Sequence, residues 1–150
     1  MSERAAALAR FASALLVTVW AGSLWTICLI AAPAAFAVLP ERRMAGLVVG
    51  RLFQTETWLG VIAAALLIAV LAARKHLSRA TLAIIMLTAA TPLISQLVVV
   101  PLMDQARAAN DMAQFGRLHG VSAALFFTAC LSALALVWKA GQASINQPAK

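Results

Sequence analysis

The residues of this chain that could do chemistry are few, and most lie toward one end of its apolar runs. The stretch Phe115-Gly-Arg117-Leu-His119-Gly120-Val-Ser122 carries the one histidine that falls inside such a run. His119, Ser122, Ala123, Phe126, Cys130 and Ala133 follow the i, i+3/i+4 spacing of a single helical face. That face is rich in small residues, so it is expected to turn toward other helices and carry His119 inward. An inward imidazole can be a metal ligand, a proton carrier or a hydrogen-bonded strut, and the strut is the ordinary case. Ser122, one turn on, can select a tautomer, and Gly120 leaves room for a ligand or backbone beside the ring.

Arg51, Glu56, Gln96, Asp104 and Arg117 fall toward the same end. Ionisable groups at membrane depth are costly and face a partner or a watery cavity. Glu56 is expected to pair with Arg51 or Arg117, either as a structural ion pair at headgroup level or as part of a ligand site. The candidate ligand-binding set is therefore His119, Ser122, Arg117, Glu56, Arg51 and Gln96. No metal motif is present. His119 and Cys130 are eleven residues apart, roughly 16 Å along a helix, too far to share an ion. Met44, Met103, Met112 and His119 make a weak copper-type set, but methionine is also ordinary apolar filler. His76 falls at the opposite end, so two histidines of one chain do not reach a common haem. No phosphate-binding glycine loop, Ser–His–Asp set or nucleic-acid motif occurs. The reading is of no catalytic residue, no cofactor and no nucleic-acid partner.

The elements that must hold these residues follow from composition. Of the 150 residues, 63% are hydrophobic and 11% charged, against roughly 25% charged in soluble domains. A chain of this size cannot hide that much apolar surface from water. The net charge of +7 comes from basic residues placed singly or in short groups at the ends of apolar runs, which is the pattern of membrane flanks. Four runs have spanning length, and they predict an all-α polytopic membrane protein: a four-transmembrane-helix bundle in one domain, with spans near 11–39, 53–73, 80–103 and 115–138. The first run is too long for a signal peptide. Its 29 residues reach roughly 43 Å, so tilt or a kink at Pro33 must absorb the excess.

Pro40 suits a helix start, and residues 40–52 read as a helical lead-in to the second span. Gly46 and Gly50 have GxxxG spacing, which either seats a close helix contact or reflects plain connector glycines. Thr81, Thr88, Thr91 and Ser95 share a face of the third span, where such residues mostly pack and bond locally. Cys28 and Cys130 read as small apolar residues rather than a disulfide. The tail, residues 140–150, reads as disordered. With four spans both termini share a side. That side holds seven of the basic residues and the other five, which puts the termini in the cytoplasm of a bacterial plasma membrane.

Several short motifs carry a family resemblance: Trp20-x-Gly22, Ala32-Pro33-x-x-Phe36, Leu39-Pro40, Ala45-Gly46-Leu47-Val48, Arg51-Leu52-Phe53, Pro101, and Phe115-x-x-x-His119-Gly120-x-Ser122. On these the chain resembles the bacterial domain-of-unknown-function family 4149, which includes the eukaryotic transmembrane protein 205. Many members carry proline after the Leu-Phe pair, where this chain has Gln54. The resemblance implies a four-helix membrane protein and supplies no settled biochemical activity. The eukaryotic member's link to platinum-drug tolerance implies export or trafficking.

Three functions are in play. The first is a non-enzymatic binding or accessory protein whose outer polar cluster meets a small ligand, an ion or a partner, with the lipid bilayer as solvent and a homo-oligomer or another membrane protein as candidate partner. The second is a small transporter or metal-handling protein. The third is a haem- or quinone-linked oxidoreductase using His119.

Overall fold

The computed structural model of the protein describes residues 3–145, with side chains described through residue 142. Four helices account for almost all of it: α1 (Glu3–Val38), α2 (Arg42–Ala73), α3 (Arg79–Ala108) and α4 (Met112–Ile145). Among the described residues there is no strand. The helices run up and down in chain order. α1 and α3 each pack on α2 and on α4, so the fourth helix closes the ring against the first.

Large apolar side chains lie outside and small or polar ones inside. Leu8, Phe11, Val38 and Trp138 are each more than 60% exposed. Glu56, Thr57, Thr88, Thr91, Ser95 and Ser132 are buried. Water would not tolerate an apolar surface that extensive, whereas lipid solvates it. Each of the four helices is long and apolar enough to cross a bilayer. The protein is an integral membrane protein.

The centre of the bundle is built on alanine and a few large anchors. Ala21, Ala63, Ala64, Ala129 and Ala133 let the backbones approach, and Trp20, Leu24, Leu67, Ile85 and Phe126 fill the space between them. Phe53 meets Phe126 edge to face at 4.4 Å. Trp25 Nε1 donates to the Cys130 carbonyl at 3.1 Å and ties α1 to α4. α3 and α4 are joined by hydroxyls as well as by packing. Thr88 Oγ1 donates to Ser132 Oγ at 2.8 Å, and Ser95 and Ser122 hydroxyls meet at 2.8 Å. The hydroxyl face of α3 thus bonds across the interface in addition to locally, as Thr91 does to the Leu87 carbonyl.

The break expected at Pro33 takes the form of a π-turn, Ile27–Ala31, in which the Ala32 N–H reaches the Ile27 carbonyl. α3 has a second π-turn, Ser95–Val99, closed by the Val100 N–H on the Ser95 carbonyl. Each turn lies just before a proline, Pro33 or Pro101. Proline has no N–H and crowds the carbonyl four residues back, so the widened turn relieves that clash while keeping the remaining carbonyls bonded. The lead-in and second span are one unbroken helix, α2. The expected disordered tail is corrected in its first part. α4 continues helical through residue 145, because Ala140–Ile145 contains no proline and only one glycine. Residues 146–150 lie outside the described residues. Apart from chain neighbours and the helix's own backbone, nothing lies within 4 Å of a Cβ built at Gly46 or Gly50, so among the described residues no close contact of the GxxxG kind forms there.

Candidate functional site

The residues expected to form one cluster are spread over separate surroundings. Glu56 is 3% exposed. Its Oε1 accepts a hydrogen bond from Ser23 Oγ of α1 at 2.9 Å, and the same hydroxyl lies 2.9 Å from the Trp20 carbonyl. The expected pairing with Arg51 or Arg117 is not made. Among the described residues the ion pair is Arg107–Asp104, at 3.6 Å on the surface. Arg51 and Glu56 are five positions apart, roughly 140° around a helix, so the two point to different faces. Arg51 is exposed and donates to the Gln54 side chain. Arg117 is exposed on α4.

His119 is exposed rather than turned into the bundle. Its ring stacks on Phe115, one turn earlier, with centroids 6.1 Å apart and planes within 10°. The Arg107 guanidinium lies 4.7 Å from the centre of the Phe115 ring. The correction has a cause in α1. Before its π-turn α1 packs on α4; beyond it, Ala32–Val38 packs mainly on α2. The His119 level of α4 is thereby left uncovered on that side. Ser122 is taken up by Ser95 and does not select a histidine tautomer. Gln96 is half-buried in the α3 π-turn, Met103 is half-buried and Met112 is exposed. Among the described residues no three His, Cys, Asp or Glu side chains gather as a metal-ligand group.

The opposite end of the bundle holds a cavity of about 370 Å³. Arg10 of α1, Arg74 and His76 of the α2–α3 connection, and Lys139 of α4 lie around it. Val17, Leu67, Leu71 and Leu136 supply its apolar wall. Among the described residues no carboxylate lines it. Backbone geometry positions two of these basic side chains. Lys75 adopts the left-handed conformation (φ 54°), the His76 N–H bonds the Leu71 carbonyl and the Lys75 N–H bonds the Ala72 carbonyl, each at 2.9 Å. This cap reverses the chain at the end of α2 and holds Arg74 and His76 over the bundle mouth. Ser78 then caps α3 through the Thr81 N–H. The same cap, with Asn110 at φ 58° and the Asp111 N–H on the Ala106 carbonyl, turns the chain at the other end.

Reading the chain as membrane flanks hides this cavity, because its four basic side chains come from three distant segments, each an ordinary run end. The signal available was their common side together with the scarcity of acids there: Glu3 is the one carboxylate side chain of the sequence on that side. Chemically, the arrangement offers two guanidiniums, an ammonium and an imidazole above an apolar floor. It can hold an anion.

The family model described as "Domain of unknown function (DUF4149)" matches residues 15–112. The match takes in the motifs from Trp20 to Pro101 and stops short of the Phe115–Ser122 motif. No curated protein and no solved structure matches the chain. The chain belongs to the DUF4149 family.

Proposed function

We propose that this DUF4149 protein is a non-enzymatic membrane binding protein, whose ligand is an anion held in the basic cavity at the end of the bundle that carries both termini. One observation carries the reading: Arg10, Arg74, His76 and Lys139 surround a single cavity that, among the described residues, no carboxylate lines. Like charges brought together raise one another's energy unless an anion joins them, and an opening with low-dielectric walls strengthens the field they share. The excess of basic residues on this side supports a cytoplasmic face and cytoplasmic termini, in a bacterial plasma membrane. A site there samples cytoplasmic solutes and the inner leaflet. The outer groups Arg51, Arg117 and His119 are the second position for a ligand, supported by their exposure at one end of the molecule.

Native purification in a mild detergent, with mass spectrometry of whatever remains bound, tests the proposal. The expected result is an anionic species retained by the wild type and by Arg51→Gln and Arg117→Gln, and lost from Arg74→Gln and Lys139→Gln. Loss from the first pair and retention by the second would move the binding position to the outer end.

A further inference from the structure

We infer that the anion taken by the basic cavity is an organic phosphate, a phosphoryl group joined to a short apolar part. This rests on the binding role proposed above and adds the ligand's class.

Three features narrow the chemistry. The first is the number and type of donors. Two guanidiniums, Arg10 and Arg74, present planar forks that match the oxygens of a tetrahedral oxyanion, and Lys139 adds a point charge. A monocarboxylate offers two oxygens in one plane and a single charge to three cations on separate elements, whereas a phosphoryl group offers three oxygens in a tetrahedral array and a charge of about −1.5 to −2 at neutral pH. The second is the floor. Val17, Leu67, Leu71 and Leu136 line it, and half-buried Leu71 keeps the most open apolar surface of the four. A free inorganic anion gains nothing from that surface, while an alkyl or aryl part attached to the phosphate would be sheltered by it. The third is size. About 370 Å³ is near the lower end of the roughly 300–1,000 Å³ of small-ligand sites. It suits a headgroup with the first part of a chain, or a small soluble phosphate ester, rather than a whole two-chain lipid.

The cavity's place also fits. Arg74 and His76 follow the last turn of α2, and Arg10 and Lys139 stand toward the same end of their helices. Cations at this level lie at headgroup depth, where basic pockets between helices take phosphorylated lipid heads. Two sources therefore present the same chemistry: the phosphate of an anionic inner-leaflet lipid and a soluble phosphate ester.

The test uses the full chain in nanodiscs of phosphatidylcholine, with thermal unfolding and calorimetric binding as readouts. The probes are hexyl phosphate, inorganic phosphate and hexanoate, with a second set of nanodiscs containing phosphatidic acid. Hexyl phosphate is expected to bind and to raise the melting temperature more than either of the other soluble probes. Arg74→Gln and Lys139→Gln should each weaken it about tenfold or more, the scale of one lost charge-assisted contact. Arg79→Gln removes an equal charge at the same end but outside the cavity lining, and should leave binding within about twofold. Ala14→Leu, which fills the cavity wall, should weaken hexyl phosphate more than inorganic phosphate.

Phosphatidic acid that competes with hexyl phosphate and survives delipidation on the wild type assigns the lipid source. Hexyl phosphate binding with no such competition assigns the soluble one. Equal affinity for hexyl phosphate and hexanoate overturns the phosphate class. So does equal loss in Arg79→Gln and Arg74→Gln, or the absence of binding by both hexyl phosphate and phosphatidic acid. An unphosphorylated anion that co-purifies and is lost in Arg74→Gln also overturns this inference, while leaving the cavity as a binding site.

Discussion

Ser23 Oγ and Glu56 Oε1 lie 2.9 Å apart between α1 and α2, with the carboxylate buried at 3% exposure. Glu56 is the one charged side chain among the buried described residues. Removing the hydroxyl leaves a carboxyl group in an apolar interior without that donor. Ser23→Ala should therefore destabilise by about 1–2 kcal/mol, between the averages for interhelical bonds in membranes and for bonds to charged groups. In a double-mutant cycle on unfolding in detergent, Ser23→Ala and Glu56→Gln should couple, while Arg51→Gln and Glu56→Gln should add. Additive losses in the first cycle would separate Ser23 from Glu56 energetically, whatever their distance.

The glycines divide in a way that spacing alone does not anticipate. A Cβ built at Gly60 lies 3.0 Å from Trp20 Nε1 and 3.4 Å from Cε2, and Trp20 is a buried core residue. Gly60 is where α1 and α2 approach most tightly through a glycine. Gly60→Ala should lower stability by about 1 kcal/mol or more, since the overpacking cost exceeds the gain in helix propensity. Gly46→Ala and Gly50→Ala meet open space and should be neutral or stabilising, by up to about 1 kcal/mol each. Melting temperatures in one detergent decide the matter. A loss at Gly46 or Gly50 without one at Gly60 would reverse the assignment and point to a second copy seated on the GxxxG face.

These two cases show what was legible in the sequence. The four spans were, because charge-free runs of that length have few alternatives. The hydroxyl face of α3 was too, because 3.6-residue periodicity gives the azimuth of Thr88 and Ser95 around the helix. Periodicity does not say how far a neighbouring helix extends. His119 shares its azimuth with Ser122 and Phe126, yet it is exposed because α1 turns toward α2 after its π-turn. Glu56 was legible as a costly residue but its partner was not, since a serine 33 residues earlier carries no charge signal. The basic cavity joins Arg10, Arg74, His76 and Lys139 only through the closure of α4 on α1.

Orientation is open to chemical labelling. In a background with Cys28→Ala and Cys130→Ala, a single Ala109→Cys sits in the exposed α3–α4 turn and Gly141→Cys sits on the exposed end of α4. A membrane-impermeant maleimide should modify the first in intact cells and the second only after permeabilisation. The opposite pattern would put the basic cavity outside the cell and remove cytoplasmic solutes from its candidate ligands.

His119 offers the sharpest separation of the two ends of the molecule. Its ring is exposed and stacked on Phe115, over whose ring the Arg107 guanidinium also lies. Arg107 closes α3 and Phe115 opens α4, so the stack braces the turn between them. Bracing needs a flat or apolar surface and does not need imidazole basicity. His119→Gln should then change stability by less than about 0.5 kcal/mol, the range of surface substitutions. Phe115→Ala removes the platform for both neighbours and should cost more, about 1 kcal/mol from the cation–π contact together with the half-buried ring. Ligand retention gives the functional half of the comparison. His119→Gln should keep the species that Arg74→Gln loses. A His119→Gln protein that melts like the wild type yet loses its bound species would return the site to the His119 end and make the imidazole its chemical centre.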